Sequence, residues 1–372
     1  MKYYIIAGEA SGDLHASNLM KQLLEKDPEA EFRFWGGDLM AAVGGVLIKH
    51  YRDLAFMGFL EVAKNIRTIL RNIRFCKEDV QAYAPDALIL VDYPGFNLRI
   101  AKWAKKMGIR VFYYISPQIW AWHSSRVHGI KASVDKMFVI LPFEAEFYQK
   151  YDYAVDFVGH PLLDVTENYQ ASPDFYTKNQ LPDKPLIGLF PGSRKQEITR
   201  MLGEMLQVVP HYPDYHFVIA GAPSQRPDFY RPFLEQVSVD NLSFITQQSY
   251  DLLSHAKAAL VTSGTATLET ALFKVPQVVC YKGGPINYWL AKRLINVEYI
   301  SLVNLIVDRP LVQELIQGEL NTTLLRKGLD AILEADKAAE IKTGYDELIL
   351  KLGQKGASER AAQLMVQYAS GS

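Results

Sequence analysis

The 372-residue chain has only two cysteines, Cys76 and Cys280, far apart and in no Cys-x-x-Cys. This excludes a disulfide framework and a thiolate zinc cluster, and it fits a reducing compartment. A basic excess is missing too. Against 40 Lys+Arg stand 41 Asp+Glu, a formal charge of −1, so no bulk field is present to neutralise nucleic-acid phosphates and nucleic acid is not an expected partner. No apolar run approaches the roughly 20 residues of a spanning helix, so any membrane contact is expected to be peripheral. The short apolar start, Met1 to Ala7, meets Glu9 and Asp13 too soon for a signal-peptide core and reads as a first strand. Three signatures are also absent. Without Gly-x-x-x-x-Gly-Lys-Ser/Thr a P-loop NTPase is not indicated, and without Gly-x-Ser-x-Gly neither is a serine hydrolase. Without Asp-x-Asp there is no obvious seat for a divalent metal bridging phosphates, so no metal or other cofactor is expected.

What is present is a soluble-protein composition, 49% hydrophobic and 22% charged, on a chain long enough for two α/β domains. Apolar β-rich runs alternate with helix-period segments, the pattern of doubly wound parallel sheets. Strands are expected at Tyr3 to Ala7, Phe32 to Trp35, Ala87 to Val91, Val111 to Ile115, Lys136 to Ile140 and Val155 to Val158. A second set follows near Leu186 to Phe190, His216 to Ala220, Ser243 to Thr246, Ala258 to Thr262 and Gln277 to Tyr281. The polar, Pro-bearing stretch Thr166 to Lys184 suggests an interdomain linker, giving domains 1–163 and 164–343. The apolar period Ala361, Leu364, Met365, Tyr368 lets the helical segment 344–372 reach back onto the first domain.

Doubly wound folds bind ligands beyond the carboxyl ends of their strands, so the residues just after each strand are the informative ones. At Pro191-Gly192-Ser193-Arg194 a buried strand runs into a tight turn, with Ser193 placed to cap the next helix. Free N–H groups and the Arg194 guanidinium there suit the diphosphate of a sugar nucleotide, although a plain connection with a surface arginine has the same pattern. Gly8-Glu9-Ala10-Ser11-Gly12-Asp13 can cradle a phosphate or hydroxyl-rich ligand through Ser11 and Gly12, with Glu9 as a polar hand and Asp13 as helix cap; it also reads as an ordinary loop. Asp92, beside Pro94-Gly95, sits where a general base for a hydroxyl acceptor belongs, or else ties its loop together. Trp120 and Trp122 suit sugar rings or acyl chains, with core packing the competing reading of Trp120, and His123 is a polar contact or a cap. Ser263-Gly264-Thr265 leads another strand into a helix whose Glu269 can accept from ribose hydroxyls.

Taken together, Gly8 to Asp13, Ser116-Pro117-Gln118-Ile119-Trp120-Ala121-Trp122, Val158-Gly159-His160-Pro161, Pro191 to Arg194, Ser263 to Glu269 and Tyr299-Ile300-Ser301-Leu302-Val303-Asn304-Leu305 resemble the lipid A disaccharide synthase family, in the family's order over nearly the whole chain. The resemblance implies a GT-B glycosyltransferase, two Rossmann-like domains facing a cleft. It implies inverting transfer from UDP-2,3-diacylglucosamine to 2,3-diacylglucosamine 1-phosphate, giving a β(1→6) disaccharide and UDP. Carried over by motif, Asp92 becomes the base on the acceptor's primary hydroxyl, while Glu9, Arg194 and Asn304 match polar positions of the cleft. Chemistry across that cleft implies domain closure. Gly95 stands where an acidic residue can occur, and Val303 where a proline often precedes the asparagine.

Acylated substrates require a lipid interface. Met57 and Phe59 lead into a segment in which Ile66, Ile69, Leu70 and Ile73 share a helical face beside Lys64, Arg67, Arg71 and Arg74. That pattern suits an element lying at an anionic lipid interface, which the resemblance implies is the cytoplasmic face of the inner membrane, or equally a helix that buries one side and solvates the other. A homodimer exchanging the helical C-terminus is a further expectation. The competing functions are a UDP-N-acetylglucosamine epimerase, a polyprenyl-linked N-acetylglucosaminyl transferase and a non-catalytic nucleotide-sugar binder.

Overall fold

The computed structural model describes residues 1–54, 66–122, 124–167, 169–237, 239–284 and 298–371, the side chains of Ile66, Ala121 and Trp122 aside. The chain divides into two units, one formed by Met1–Pro161 with Leu352–Ser372 and the other by Leu162–Lys351.

The first unit carries strands β1 (Lys2–Ala7), β2 (Glu31–Gly36), β3 (Val46–His50), β4 (Ala87–Val91), β5 (Val111–Tyr114), β6 (Lys136–Val139) and β7 (Asp156–Phe157). They pair in parallel in the order β3-β2-β1-β4-β5-β6-β7. Tyr3 to Ala7 and Ala87 to Val91 are wholly buried, as expected of strands covered on both faces. The second unit repeats the arrangement with β8 (Leu186–Phe190), β9 (His216–Gly221), β10 (Leu242–Thr246), β11 (Ala256–Thr262), β12 (Gln277–Tyr281) and β13 (Gln313–Ile316), ordered β10-β9-β8-β11-β12-β13. In each sheet the winding reverses beside the first strand, between β1 and β4 and between β8 and β11. The carboxyl ends of those strand pairs are where such sheets bind ligands.

The closing helix Ala357–Ser370 packs on the helix Ala10–Lys26, with Ala361 and Met365 fully buried. Arg360 fastens it through Nε and Nη2, which donate to the Val158 carbonyl at 2.9 and 2.7 Å, and Lys26 pairs with Glu359 at 2.8 Å.

Several local expectations are corrected. Asp13 lies inside the helix Ala10–Lys26 and caps a different one: Oδ1 accepts from Gly37 N–H at 2.7 Å and Met40 N–H at 3.1 Å, and Oδ2 from Leu39 N–H at 3.1 Å, at the start of the helix Asp38–Val43. Ser193 is not the cap of the next helix, because that helix begins at Lys195 and Arg194 occupies the capping position. The stretch Thr166 to Lys184 is no bare linker, since Phe175 and Leu181 are buried in the second unit's core. Strands β3 and β13, at sheet edges, had no counterpart in the sequence reading. Cys76 and Cys280 are buried thiols whose pKa burial pushes up, which makes them packing residues.

Candidate active site

In the first unit the candidate site residues lie at the ends of β1 and β4. Asp92 and Tyr93 both adopt left-handed backbone, at φ +44° and +49°, and Tyr93 precedes the helix Pro94–Lys106. A bulky residue in that region is strained, and such strain persists only where the surroundings enforce it. Here they do: the Asp92 N–H donates to Tyr114 O at 3.1 Å, and the Asp92 carbonyl accepts from Tyr113 Oη at 2.5 Å and from Asn97 Nδ2 at 2.8 Å. These bonds all use main-chain atoms of Asp92, whose side chain is half-buried.

The Tyr93 ring stacks on Phe96 at 5.7 Å and lies against Gly8, where a Cβ would come within 2.3 Å of it. Gly8 is therefore required for close approach of the two strand ends, while Glu9 opens the helix Ala10–Lys26. Burial chiefly, and the Glu9 charge secondarily, raise the Tyr93 pKa. Glu9, Ser11, Gly12 and Asp92 thus all belong to the β1 and β4 ends.

Trp120 packs edge-on against Phe143 at 4.8 Å, in keeping with the packing reading. The loop before it is propped from below. Ser116 Oγ lies 2.7 Å from Tyr148 Oη, and the buried Glu144 accepts from Ile140 and Leu141 N–H at 3.1 and 2.9 Å. His123, Met57 and Phe59 lie outside the described residues, as does the Ile66 side chain. On the helix Ile66–Tyr83, Ile73 is buried in the core and Ile69 packs against it, whereas Leu70 is exposed beside exposed Arg67, Arg71 and Arg74. Phe75 is exposed as well, with its ring 6.2 Å from that of Trp35.

In the second unit the corresponding place lies at the ends of β8 and β11. Gly192 has φ +108°, and a Cβ there would meet Glu197 Oε2 at 2.9 Å. Glu197 binds the Arg194 N–H at 3.3 Å and Nη1 at 3.2 Å, which holds the exposed guanidinium beside the turn. Ser224 Oγ donates to Ser193 O at 2.7 Å, packing the loop after β9 onto the same turn. Across from it, Gly264 and Thr265 open the helix Thr265–Leu272. The buried hydroxyl of Thr262 has no hydrogen-bond partner among the described residues. Glu269 accepts from Tyr250 Oη at 3.0 Å through Oε1; burial raises its pKa and the tyrosine opposes the rise.

Asn304 is placed differently from Asp92 and Arg194. It is buried, its Nδ2 donates to Val312 O and Glu314 Oε1, both at 2.9 Å, and its Oδ1 accepts from Val312 N–H at 2.9 Å. Its carboxamide is fully engaged with its own chain. Glu314, on the unforeseen β13, was not singled out from the sequence; a lone acid in the apolar run Leu311 to Ile316 was the available signal. A cavity of about 450 Å³ runs along β13, lined among others by Tyr299, Asn304, Gln313, Glu314 and Lys337. It follows the sheet edge and not the β8 and β11 ends.

Known proteins bear on this geometry in two ways. Two solved structures share the fold at low identity: UDP-GlcNAc 2-epimerase from Neisseria meningitidis, TM-score 0.70, 13% identical, covering 99% of this chain and 100% of that one, and the calicheamicin glycosyltransferase CalG4, TM-score 0.60, 15% identical, covering 99% and 98%. At sequence level, lipid-A-disaccharide synthase of Syntrophus aciditrophicus is 39% identical over 364 residues, 96% of this chain and 95% of the relative. The family model described as lipid-A-disaccharide synthetase matches residues 3–368, a span that includes both strand-end clusters. The chain therefore belongs to the lipid-A-disaccharide synthase family.

Proposed function

We propose that this chain is a glycosyltransferase that joins UDP-2,3-diacylglucosamine to 2,3-diacylglucosamine 1-phosphate, forming a β(1→6) disaccharide and releasing UDP. The observation that carries this reading is the family match from residue 3 to residue 368. Asp92 accepts the proton of the acceptor's primary hydroxyl as its oxygen attacks the anomeric carbon. The bond to the diphosphate breaks on the opposite face, and UDP leaves with the electron pair. Support for Asp92 is its carboxylate at the β4 end, on a left-handed turn held by bonds from Tyr113 and Asn97 to the Asp92 carbonyl. Gly192, Ser193, Arg194, Ser263, Gly264 and Thr265 hold the diphosphate, and Glu269 takes the ribose hydroxyls, whose donation would stabilise a carboxylate that burial disfavours. Ser11, Gly12 and Glu9 serve the acceptor. Mass spectrometry of the product from the two acylated substrates tests the assignment; a sugar epimer, a polyprenyl glycoside or no product removes it.

No resident metal or other cofactor enters this reading. In support, Asp-x-Asp is missing from the sequence. Unchanged turnover in excess chelator is the expected result, and loss restored by a divalent ion is the contrary one.

Among the described residues no helix is long and apolar enough to cross a membrane. For the lipid substrates we infer peripheral attachment to the cytoplasmic leaflet through Leu70 and Phe75, flanked by Arg67, Arg71 and Arg74. Each basic residue near an anionic surface is worth about 1 kcal/mol. Replacing the three arginines by glutamine should weaken co-sedimentation with phosphatidylglycerol vesicles roughly a hundredfold; equal binding by wild type and variant rejects this attachment.

A further inference from the structure

Four hydrogen bonds converge on one carboxylate in the second unit. Glu314 Oε1 accepts from Ser301 N–H at 3.0 Å, Ser301 Oγ at 2.7 Å and Asn304 Nδ2 at 2.9 Å, while Oε2 accepts from Ile300 N–H at 2.9 Å. Ser301 Oγ in turn caps the helix Leu302–Val307 by accepting from Asn304 N–H at 3.2 Å. The chain from Ile300 to Asn304 is thus pinned to β13. On its other side, the Ile300 carbonyl accepts the hydroxyl hydrogen of Ser263 at 2.8 Å, in the turn after β11. One peptide segment therefore links the edge-strand carboxylate to the turn that ends β11.

We infer that Glu314 is a positioning residue for the donor site, setting the place and orientation of Ser263 through Ile300. The inference rests on the reading of the Ser263 turn as part of the diphosphate seat. It gives Asn304 a role as well: an amide already bonded to Val312 and Glu314 acts on the reaction by holding this clamp, with no substrate contact required. A fixed acceptor for the Ser263 hydrogen holds this turn in place, so the N–H groups that follow it keep one defined arrangement. Such preorganisation strengthens the hold on the diphosphate in the ground state and the transition state alike, so its loss appears in KM and UDP affinity.

Glu314→Gln is the discriminating change. Its remaining oxygen can keep the three bonds at the Oε1 position, but its NH2 then faces the Ile300 N–H, two donors with no acceptor between them. The damage falls on the residue that holds Ser263. The full chain, with UDP as the probe, is measured by calorimetric binding and by the KM and kcat for the acylated donor. We expect UDP affinity to fall and KM to rise about tenfold, with kcat changed less than threefold. Ser263→Ala should give a similar loss, and the double variant should be no worse than the worse single one, since both act through one contact. Additive losses, or an unchanged KM with only lowered thermal stability, overturn the inference. If Glu314→Gln does not fold, Ser301→Ala, which removes one hydroxyl from the same carboxylate, carries the test with a smaller expected rise in KM. Failure of the wild-type chain to bind UDP is a separate outcome: it removes the donor reading, and this inference with it.

Discussion

Asp92 offers a separation of chemistry from backbone strain that few positions allow. Its φ of +44° lies in the region that glycine, asparagine and aspartate tolerate and other residues resist. Asp92→Asn keeps that tolerance, and the bonds to Tyr113, Tyr114 and Asn97 all use main-chain atoms. An isosteric amide at this turn should therefore change folding stability by no more than about 1 kcal/mol. What is lost is the ability to take a proton, worth about 10² to 10⁴ in rate, or about 3 to 5 kcal/mol of barrier. Asp92→Ala loses the same chemistry and adds a left-handed penalty of about 1 to 2 kcal/mol, a fall in Tm of several degrees for a domain of this size. Asp92→Gly should match the asparagine variant in rate and equal or exceed the alanine variant in Tm. The assay is UDP release with both acylated substrates, beside thermal denaturation and UDP binding, which all three variants should retain. Turnover by Asp92→Asn within threefold of wild type refutes the base, and equal Tm for the alanine and asparagine variants refutes the strain argument.

Three further outcomes are expected. Arg194→Ala should weaken UDP binding and turnover together by about ten- to a hundredfold, the worth of charge-assisted bonds to phosphate, while Tm stays put because the exposed pair with Glu197 contributes under about 1 kcal/mol; calorimetry and denaturation read both. Gly8→Ala brings a Cβ within 2.3 Å of the Tyr93 ring and should lose about 1 to 3 kcal/mol in urea unfolding, a loss that Tyr93→Ala in the same chain should partly restore. His15 is buried with its pKa lowered to about 4 by burial. The unfolded chain therefore binds this proton first, and stability is retained above pH 6.5 and falls as pH drops toward 4, by up to about 3 kcal/mol from this group. His15→Gln should flatten that part of the unfolding-midpoint profile between pH 7 and 4.5, and a profile identical to wild type would contradict the buried neutral imidazole.

The strands that carry the strand-end clusters were legible because each is a dense apolar run closed by Gly, Pro or Asp: β4 with Asp92, β8 with Pro191-Gly192, β11 with Ser263-Gly264. Two of the sheet-edge strands were not. β3 follows Gly44-Gly45 and leaves Val46 and Leu47 exposed, and β13 opens on Gln313, so neither shows the buried run of a central strand. Asp13 shows a second limit. Its spacing in Gly12-Asp13-Leu14 suits a local cap, but the N–H groups it satisfies belong to a helix starting at Asp38, a choice decided by tertiary placement. Ile73 shows a third, since a helical face of isoleucines looks alike whether it meets a core or a bilayer. The Glu314 clamp was hidden for the same kind of reason: its partners at Ile300, Ser301 and Asn304 are brought to it by the return of the chain to the sheet edge.

The tail that completes the first unit has a consequence for biosynthesis. Arg360 grips the Val158 carbonyl, and Ala361 and Met365 fill the flank of an N-terminal helix, yet these residues emerge from the ribosome only after all of Leu162 to Lys351. The unit begun first is finished last. During translation its partner can mature while it waits with an uncovered apolar flank, a period in which a chaperone or a slow translation rate has most to protect.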